Sequence, residues 1–431
     1  MADARFDEAV QRLFARRPER MVPGLERISA LCARLGDPQR CAPAVHVTGT
    51  NGKTTLARMV STLLSAHGHE PGTYTSPHLQ DVTERVRIGG RRMRRDEFVR
   101  GLDTLLEHVD AVEAERGEMV TFFETLTALA FQHFAARRVS AAVVEVGMGG
   151  RWDATNVLDA EVAVLNPVRL DHAELGDAVE QVAWEKAGII SQGGVCVTAE
   201  QWPAAHAVIA AEARERDAQL LVAGTDFALL DRRMHEGGQT LVIGDRAGTV
   251  DAIELPLHGA HQADNAAVAL AATSALLGDV DPDAVRAGFS AVRSPGRMEI
   301  VPGAVPVLLD GAHNPAGAQA LARALTEELP AKRRVVVLGA MGDKDYGGII
   351  EALAPIADAF VCTEAPTLRS ASAEQLAKVA RIAGVPTEVE AEVDAAITRA
   401  RGLAGEGTMV VVTGSLYLVG AARDALGPTP A

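Results

Sequence analysis

The sequence is poor in cysteine. It has 4 cysteines in 431 residues, and Cys32, Cys41, Cys196 and Cys362 lack the paired spacing of a zinc site or of a disulfide framework. We therefore expect reduced thiols and a cytoplasmic location.

Basic side chains are also in short supply. The formal net charge is -15, which argues against a general nucleic-acid surface because binding to phosphate backbones requires clustered Lys and Arg. The one dense basic run covers residues 91–95, between Gly90 and an acidic helix start. It fits a solvated face or a contact with an anionic substrate, and we expect no nucleic-acid partner.

Long apolar runs are absent as well. No uninterrupted stretch of about 18 apolar residues occurs, and the N-terminus is charged, so neither a membrane span nor an export signal is expected. The length suggests two or three domains, and a hydrophobic content of 48% indicates a globular chain.

The most informative stretch is Val-His-Val-Thr-Gly-Thr-Asn-Gly-Lys-Thr-Thr at residues 45–55. It predicts a strand, a phosphate-binding loop and a helix start: Gly49 and Gly52 let backbone N–H groups converge on an anion, and Lys53 places a charge on the outer phosphates. The Thr54 hydroxyl suits Mg²⁺. Val47 stands where the general pattern has a glycine. A plain glycine turn with an exposed lysine is the simpler alternative.

The helix after this loop is predicted over residues 53–66. Its apolar side chains recur at helical spacing, which predicts a single packed face made of Leu56, Met59, Val60, Leu63 and Leu64.

Strand and helix patterns alternate through the chain, which predicts an α/β fold with parallel sheets. We expect a P-loop doubly wound sheet domain with a small antiparallel subsheet over residues 226–257, and a smaller Rossmann-like C-terminal α/β domain. The boundary is placed at Ser294-Pro-Gly296, giving domains 1–293 and 294–431. Strands of the second domain are expected near 305–310, 334–339, 358–363, 387–389 and 408–413.

Glu145 is a carboxylate at the end of a valine-rich strand. Such a group is costly to bury unless it is paired or meets a metal, and open α/β sheets bind ligands at the carboxyl ends of their strands. We expect Glu145 to belong to a functional site.

Several segments resemble one family when taken in order. They are the phosphate loop, Thr75–Leu79, Glu145–Asn156, Leu170–His172, Glu185–Ile190, His261–Asn265, Asp310–Pro315 and Thr413–Gly420. From about Leu25 to Tyr417 the chain resembles the dihydrofolate synthase/folylpolyglutamate synthase family of the Mur ligase superfamily. The resemblance implies an ATP-binding domain of the Mur central type over 1–293 and a glutamate-ligase domain over 294–431.

The implied activity is the ATP-dependent joining of L-glutamate to dihydropteroate, to tetrahydrofolate or to both, through an acyl phosphate. The implied cofactors are ATP and Mg²⁺ at two sites, with room for a monovalent cation, and a monomer is expected. The alternatives are a Mur-type ligase with a different carboxylate acceptor and a nucleotide-binding switch without ligation.

The resemblance also assigns roles to residues. It implies that Lys53, Glu145, His172 and Lys186 are catalytic. Thr54, Ser76 and Glu145 would face one Mg²⁺, while His172 and a carbamylated Lys186 would hold a second. The nucleotide would meet Gly49, Thr50, Asn51, Gly52, Lys53, Thr54, Thr55, Asn265, Arg297, Asp310 and His313, and the pterin would meet Ser76, Pro77, His78, Thr121, Phe123 and Asp153.

Plainer roles stay open for some of these residues. Glu145 could cap a helix or pair with Lys53, Ser76 could only form a turn, and His172 could be a hydrogen-bonded loop residue. Similarly, Arg297 could form a salt bridge between domains, and Phe122 and Phe123 could be core residues.

The chain also departs from the family pattern. The separation of His172 from Lys186 is one residue shorter, and Arg169 follows Asn166-Pro-Val in place of a small, hydroxyl-rich stretch. Arg169 could contact the γ-phosphate region or point outward.

Overall fold

The structure is a computed structural model that describes residues 2–17, 23–170, 173–246 and 248–427. The chain divides into two compact units. The N-terminal unit comprises Met1–Arg233, Thr240–Leu255 and Ala263–Val292, and the C-terminal unit comprises Met234–Gln239, Pro256–Gln262 and Arg293–Ala431. The domain limits 1–293 and 294–431 stay a prediction.

An eight-stranded sheet organises the N-terminal unit, in the order β4-β3-β2-β5-β1-β6-β7-β8. The pairs from β2 through to β8 are parallel, whereas β3 and β4 pair antiparallel at one edge. In chain order the strands are β1 Ala44–Thr48, β2 Pro71–Tyr74, β3 Val86–Ile88, β4 Arg91–Arg92, β5 Ala141–Glu145, β6 Val162–Leu165, β7 Val195–Thr198 and β8 Gln219–Val222.

Helices cover both faces of this sheet, so the central strands are buried on both sides. Every residue of β1, β5 and β6 is buried. The helices are α1 Ala2–Phe14, α2 Glu26–Arg34, α3 Lys53–Ala66, α4 Arg95–Arg116, α5 Phe122–Arg137, α6 Val179–Ala187, α7 Pro203–Glu215, α8 Ala260–Leu277 and α9 Pro282–Ser290.

The predicted packed face of α3 is confirmed. Its five apolar residues Leu56, Met59, Val60, Leu63 and Leu64 all have 0% exposure. Two further helix ends have clear local causes: Gly117 ends α4 with a φ of 67°, and Thr121 begins α5 with a capping box to Glu124.

Three further strands form a separate sheet in the order β11-β10-β9. They are β9 Phe227–His235, β10 Gly238–Asp245 and β11 Thr249–Leu255, which lie within the segment where short strands are expected.

The C-terminal unit contains a six-stranded sheet in the order β12-β13-β17-β14-β15-β16. Only β12 and β13 pair antiparallel, and the other pairs are parallel. The strands are β12 Glu299–Val301, β13 Val307–Leu309, β14 Arg333–Leu338, β15 Ala359–Cys362, β16 Thr387–Val389 and β17 Thr408–Thr413; the helices are α10 Pro315–Glu327, α11 Tyr346–Leu353, α12 Ala373–Ile382, α13 Val393–Gly402 and α14 Leu416–Leu426.

The predicted α/β class, with a parallel-rich sheet in each of two parts, is confirmed. Among the described residues, no helix combines the length and the apolar character needed to cross a bilayer.

Candidate active site

The carboxyl ends of four parallel strands meet at one edge of the large sheet. Val47 pairs with Glu145 on β5 and with Val164 on β6, and Tyr74 of β2 pairs with Val144. The register therefore brings the residues that follow β1, β2 and β6 to the level of Glu145. Ligands bind at this edge in open α/β sheets.

The phosphate loop requires its glycines. Gly49 and Gly52 have φ values of 145° and 82°, which favour glycine. A Cβ on Gly49 would lie 2.5 Å from Cβ of Asn166, and one on Gly52 would lie 3.0 Å from Oδ1 of Asn265. Lys53 folds back over the loop, donating to the carbonyls of Gly49 at 3.0 Å and Thr50 at 3.3 Å.

Glu145 joins two of the predicted metal ligands. The Thr54 hydroxyl donates to Oε1 of Glu145 at 2.9 Å, and the backbone N–H of Ser76 donates to Oε2 at 3.0 Å. Glu145 is 1% exposed, so this carboxylate is buried and hydrogen-bonded. The structure therefore brings Thr54, Ser76 and Glu145 together beside the phosphate loop.

The donor set fits Mg²⁺. Carboxylate and hydroxyl oxygens are the hard ligands that Mg²⁺ prefers, and this ion usually takes one or two carboxylates together with waters and substrate phosphates. The parts of the chain that the structure describes hold no group of three or more His, Cys, Asp or Glu able to cage a metal. Thr54 and Glu145 therefore suit an ion that shares its coordination with a bound phosphate.

Lys186 reaches the same loop from α6. It is 3% exposed, and its Nζ donates to the carbonyl of Gly49 at 3.0 Å. The glycine-rich segment after β5 fits against α6, since the N–H of Arg151 donates to the carbonyl of Glu185 at 2.8 Å. A Cβ on Gly150 would lie 2.9 Å from the carbonyl oxygen of Lys186. His172, the other predicted ligand of a second metal, lies outside the described residues.

Asp153 and Phe123 lie together among the predicted pterin contacts. Asp153 is 8% exposed, and burial raises the pKa of its carboxyl. Gly147 has no space for a side chain, because a Cβ there would lie 2.5 Å from Cζ of Phe123 and 3.0 Å from Oδ2 of Asp153. The ring of Phe123 lies 6.0 Å from that of Tyr74, measured between centroids.

Thr121 has a structural task in its own helix. Its hydroxyl donates to Oε2 of Glu124 at 2.8 Å and accepts the N–H of Glu124 at 3.3 Å. This capping role was not predicted from the sequence.

The loop after β2 holds Ser76, Pro77 and His78. Nδ1 of His78 accepts a 2.9 Å hydrogen bond from Nε of Arg85. Burial, with the nearby charge of Arg85, lowers the pKa of His78 to about 3, so this imidazole is neutral at physiological pH.

Asn265 lies against the phosphate loop. Its Oδ1 accepts a 2.8 Å hydrogen bond from Nδ2 of Asn166, which also donates to the carbonyl of Asn51 at 3.0 Å. Asn166 was not predicted as a site residue, although its position directly after the buried strand β6 could have indicated it. The hydroxyl of Thr50 accepts from the N–H of Arg169 at 3.0 Å.

Arg169 was predicted either to contact the γ-phosphate region or to point outward. Its guanidinium stacks over Trp202, at 4.2 Å from the ring centroid. Trp202 is 51% exposed, so this arginine lies on an exposed ring.

Within the C-terminal unit, Asp310 organises a turn. Its carboxylate accepts the backbone N–H of Met298 and that of Ala312, both at 2.9 Å. Burial raises the pKa of Asp310, and the charge of Arg297 opposes that rise. Nδ1 of His313 lies 2.9 Å from the carbonyl oxygen of Gly311. Arg297, Asp310 and His313 therefore belong to neighbouring loops of one unit.

Comparisons with known proteins identify the family of this chain. The Mur ligase middle domain matches residues 47–273, and the glutamate ligase domain of Mur ligases matches residues 296–416. A dihydrofolate synthase/folylpolyglutamate synthase of Mycobacterium tuberculosis is 42% identical over 95% of this chain and 91% of its own length. The chain belongs to the dihydrofolate synthase/folylpolyglutamate synthase family of Mur ligases.

Solved structures of this family have the same fold. A folylpolyglutamate synthase of M. tuberculosis complexed with ADP has 41% sequence identity and a TM-score of 0.97, with 100% of both chains covered. The Escherichia coli FolC in complex with DHPP and ADP has 31% identity and a TM-score of 0.89, with 99% of both chains covered. The family and fold predicted from the sequence are confirmed, and the roles of individual residues stay predictions.

Proposed function

We propose that the chain is an ATP-dependent ligase that joins L-glutamate to dihydropteroate, to the γ-carboxylate of tetrahydrofolate, or to both. The observation that carries this proposal is the group of Thr54, Ser76 and Glu145 beside the phosphate loop, with Lys53 and Lys186 both donating to Gly49. The names of relatives matched over most of the chain support the folate acceptors.

The reaction proceeds in two steps. A carboxylate oxygen of the acceptor attacks the γ-phosphorus of ATP and ADP leaves, which gives an acyl phosphate. The amino group of glutamate then attacks the acyl carbon, and inorganic phosphate leaves with that carboxylate oxygen. Both steps bring anions together, so cations aimed at the phosphates supply most of the stabilisation.

The residues of the N-terminal unit divide this work. The loop N–H groups from Gly49 to Thr55 hold the β- and γ-phosphates, and Lys53 turns from its carbonyl partners toward the γ-phosphate. Thr54, Ser76 and Glu145 would hold Mg²⁺. The ion would supply charge neutralisation between the β- and γ-phosphates.

Lys186 is proposed to carry a carbamate. A carbamate turns this cation into an anion with two oxygens, which would position a second ion with His172 near the acyl phosphate. Carbon NMR of protein supplied with labelled bicarbonate tests this proposal. We expect a carbamate signal in the wild type and no such signal in Lys186→Met.

The two substrates are assigned to different residue groups. The pterin would lie near Ser76, Pro77, His78, Thr121 and Phe123, with Asp153 accepting hydrogen bonds from ring N–H donors. The nucleotide would be contacted by Asn265 and by Arg297, Asp310 and His313, where the planar guanidinium of Arg297 suits bidentate binding of phosphate. We further propose a cytoplasmic monomer.

Phosphate release by the purified protein tests the function. The assay contains ATP and Mg²⁺ with dihydropteroate or tetrahydrofolate, each with and without L-glutamate. We expect release that needs both an acceptor and glutamate, with dihydrofolate or an extended folate identified by mass spectrometry. Release that is independent of both organic substrates would indicate a nucleotide switch, whereas no release with either folate plus glutamate would indicate a different carboxylate acceptor.

A further inference from the structure

His46 is a buried histidine in the middle of β1, outside the residues assigned above. It is 0% exposed, and its Nδ1 has no hydrogen-bond partner among the residues that the structure describes. Its Nε2 lies 2.8 Å from the hydroxyl oxygen of Thr155. A buried nitrogen without a partner costs free energy, so an aliphatic side chain would suit this strand better. The position therefore calls for an explanation beyond packing.

The hydrogen bonds from His46 run in one direction. The Thr155 hydroxyl donates to Oδ1 of Asp153 at 2.5 Å, so its single proton is directed at the carboxylate. Thr155 can then only accept from His46, which places the imidazole proton on Nε2. His46, Thr155 and Asp153 thus form a relay in which each member donates to the next.

The relay ends on the carboxylate of Asp153, whose ionised form is disfavoured by burial. Burial raises the pKa of Asp153, and the Thr155 hydroxyl and the backbone N–H groups of Met148, Thr155 and Gly147 oppose that rise. Burial also lowers the pKa of His46 to about 3, so His46 is neutral and acts only as a donor. The relay therefore favours the ionised carboxylate without adding a charge.

The other oxygen of Asp153 faces the predicted pterin contacts. Oδ2 accepts the N–H of Met148 at 3.0 Å and lies on the side of Gly147 and Phe123. Tyr74 on β2 is a titratable side chain close enough to feel the charge of Asp153, and Tyr74 is also in the field of Arg85 and Glu145. Oδ1 thus accepts both the hydroxyl and the N–H of Thr155, while Oδ2 is the oxygen on the side of Phe123.

We propose that His46 and Thr155 are positioning residues that orient Asp153 and keep it ionised, so that its Oδ2 can accept an N–H of a bound heterocycle. The 2-amino-4-oxo edge of a pterin presents such an N–H donor. The inference rests on the proposed function, because it needs Asp153 to contact the pterin. It adds two residues that act through Asp153 and touch neither ATP nor the reacting carboxylate.

The test compares KM for dihydropteroate with kcat. Thr155→Val removes the hydroxyl at nearly constant volume, and losing one hydrogen bond to a charged group should raise KM about tenfold while kcat changes less than about threefold. His46→Leu should raise KM about threefold without lowering the melting temperature. Thr155→Ser keeps the hydroxyl, so its KM should equal the wild-type value.

Thr73→Val is the matched control. Thr73 is a buried threonine of β2 whose hydroxyl donates to Ser61 at 2.7 Å, so the substitution removes an equally buried hydrogen bond away from Asp153. The free energy of unfolding of Thr73→Val should fall by about as much as that of Thr155→Val. Its KM for dihydropteroate should not change. An equal rise in KM in this control would overturn the inference, since it would show a general effect of lost stability.

The pH dependence adds a readout that a purely structural role would not affect. KM for dihydropteroate should rise as the pH falls through the pKa of Asp153, and in Thr155→Val this rise should begin at a higher pH.

An unchanged KM and pH profile in both Thr155→Val and His46→Leu, with a raised KM in Asp153→Asn, would overturn the relay and leave the proposed function intact. If Asp153→Asn itself keeps the wild-type KM, the assignment of Asp153 and the relay both fail. A wild-type protein without folate-dependent turnover would instead overturn the proposed function.

Discussion

The hydroxyl of Thr54 donates a 2.9 Å hydrogen bond to Oε1 of Glu145, which joins the first turn of α3 to the carboxyl end of β5. A hydroxyl and a carboxylate already in contact at the phosphate loop can share a divalent ion with little rearrangement.

Glu145→Gln should lower kcat by at least about 100-fold and raise the Mg²⁺ concentration needed for half-maximal turnover, because the charge that holds the ion is lost. Phosphate release measured across a magnesium titration checks this, and removal of magnesium with a chelator should stop turnover in the wild type. Glu161→Gln is the control: Glu161 accepts the N–H of Ala44 at 2.6 Å, at the amino end of β6. Equal loss in both variants would contradict the assignment of Glu145.

Lys53→Ala should reduce turnover by about 1,000-fold or more while the protein stays folded, since Lys53 donates to two backbone carbonyls of the loop and its charge serves the phosphates. Phosphate release and thermal unfolding measure the two effects separately. The exposed Lys378 on α12 offers a neutral comparison as Lys378→Ala. Wild-type rates in Lys53→Ala would mean that the loop does not bind phosphate in the expected way.

The buried ion pair of Arg27 and Glu124 should support the N-terminal unit. Both residues are 4% exposed, and Nε of Arg27 lies 3.0 Å from Oε1 of Glu124. Arg27→Met leaves a buried carboxylate without its cation and should lower the free energy of unfolding by about 3–5 kcal/mol. Arg34→Met on the same helix, which removes an exposed pair with Glu115, should cost less than about 1 kcal/mol. Urea unfolding compares the two variants, and equal losses would show that burial of the pair has no special effect.

Asp81 should make stability depend on acid pH. Burial raises the pKa of Asp81, but hydrogen bonds from Thr83 and Arg95 outweigh burial and leave this pKa below its ordinary value. A depressed pKa in the folded state contributes stability that is present at neutral pH and is lost as the pH falls through that pKa. Urea unfolding of Asp81→Asn should therefore show a deficit at pH 7 that shrinks below about pH 4. A deficit that is constant with pH would contradict this interpretation.

The sequence predicted the parts of the site that depend on local pattern. The loop glycines, Lys53 and the apolar face of α3 follow from a strand, a turn and a helix that are continuous in the chain. Glu145 could be predicted because a carboxylate among valines is costly unless it has a task. The basic run at residues 91–95 was ambiguous, and it includes the edge strand β4, where Arg91 pairs with Glu70 at 3.0 Å. Charged side chains at a sheet edge discourage pairing with another chain.

Features that depend on strand order could not be predicted in this way. Asn166 meets Asn51 and Asn265 only because β6 lies beside β1, and nothing local to residue 166 specifies that neighbour. The capping role of Thr121 was hidden because its motif was interpreted as a ligand contact. The hydrogen bond of His46 likewise depends on tertiary packing, which brings Thr155 of the short 3-10 helix at Ala154–Val157 within hydrogen-bond distance of β1.

The fate of a labelled carboxylate oxygen tests the central claim most directly. Dihydropteroate carrying a heavy oxygen isotope in its carboxylate is incubated with the protein, ATP, Mg²⁺ and L-glutamate, and the inorganic phosphate is analysed by mass spectrometry. Ligation through an acyl phosphate predicts one labelled oxygen in each phosphate released. Unlabelled phosphate would contradict the account, because the γ-phosphate would then have been transferred to water.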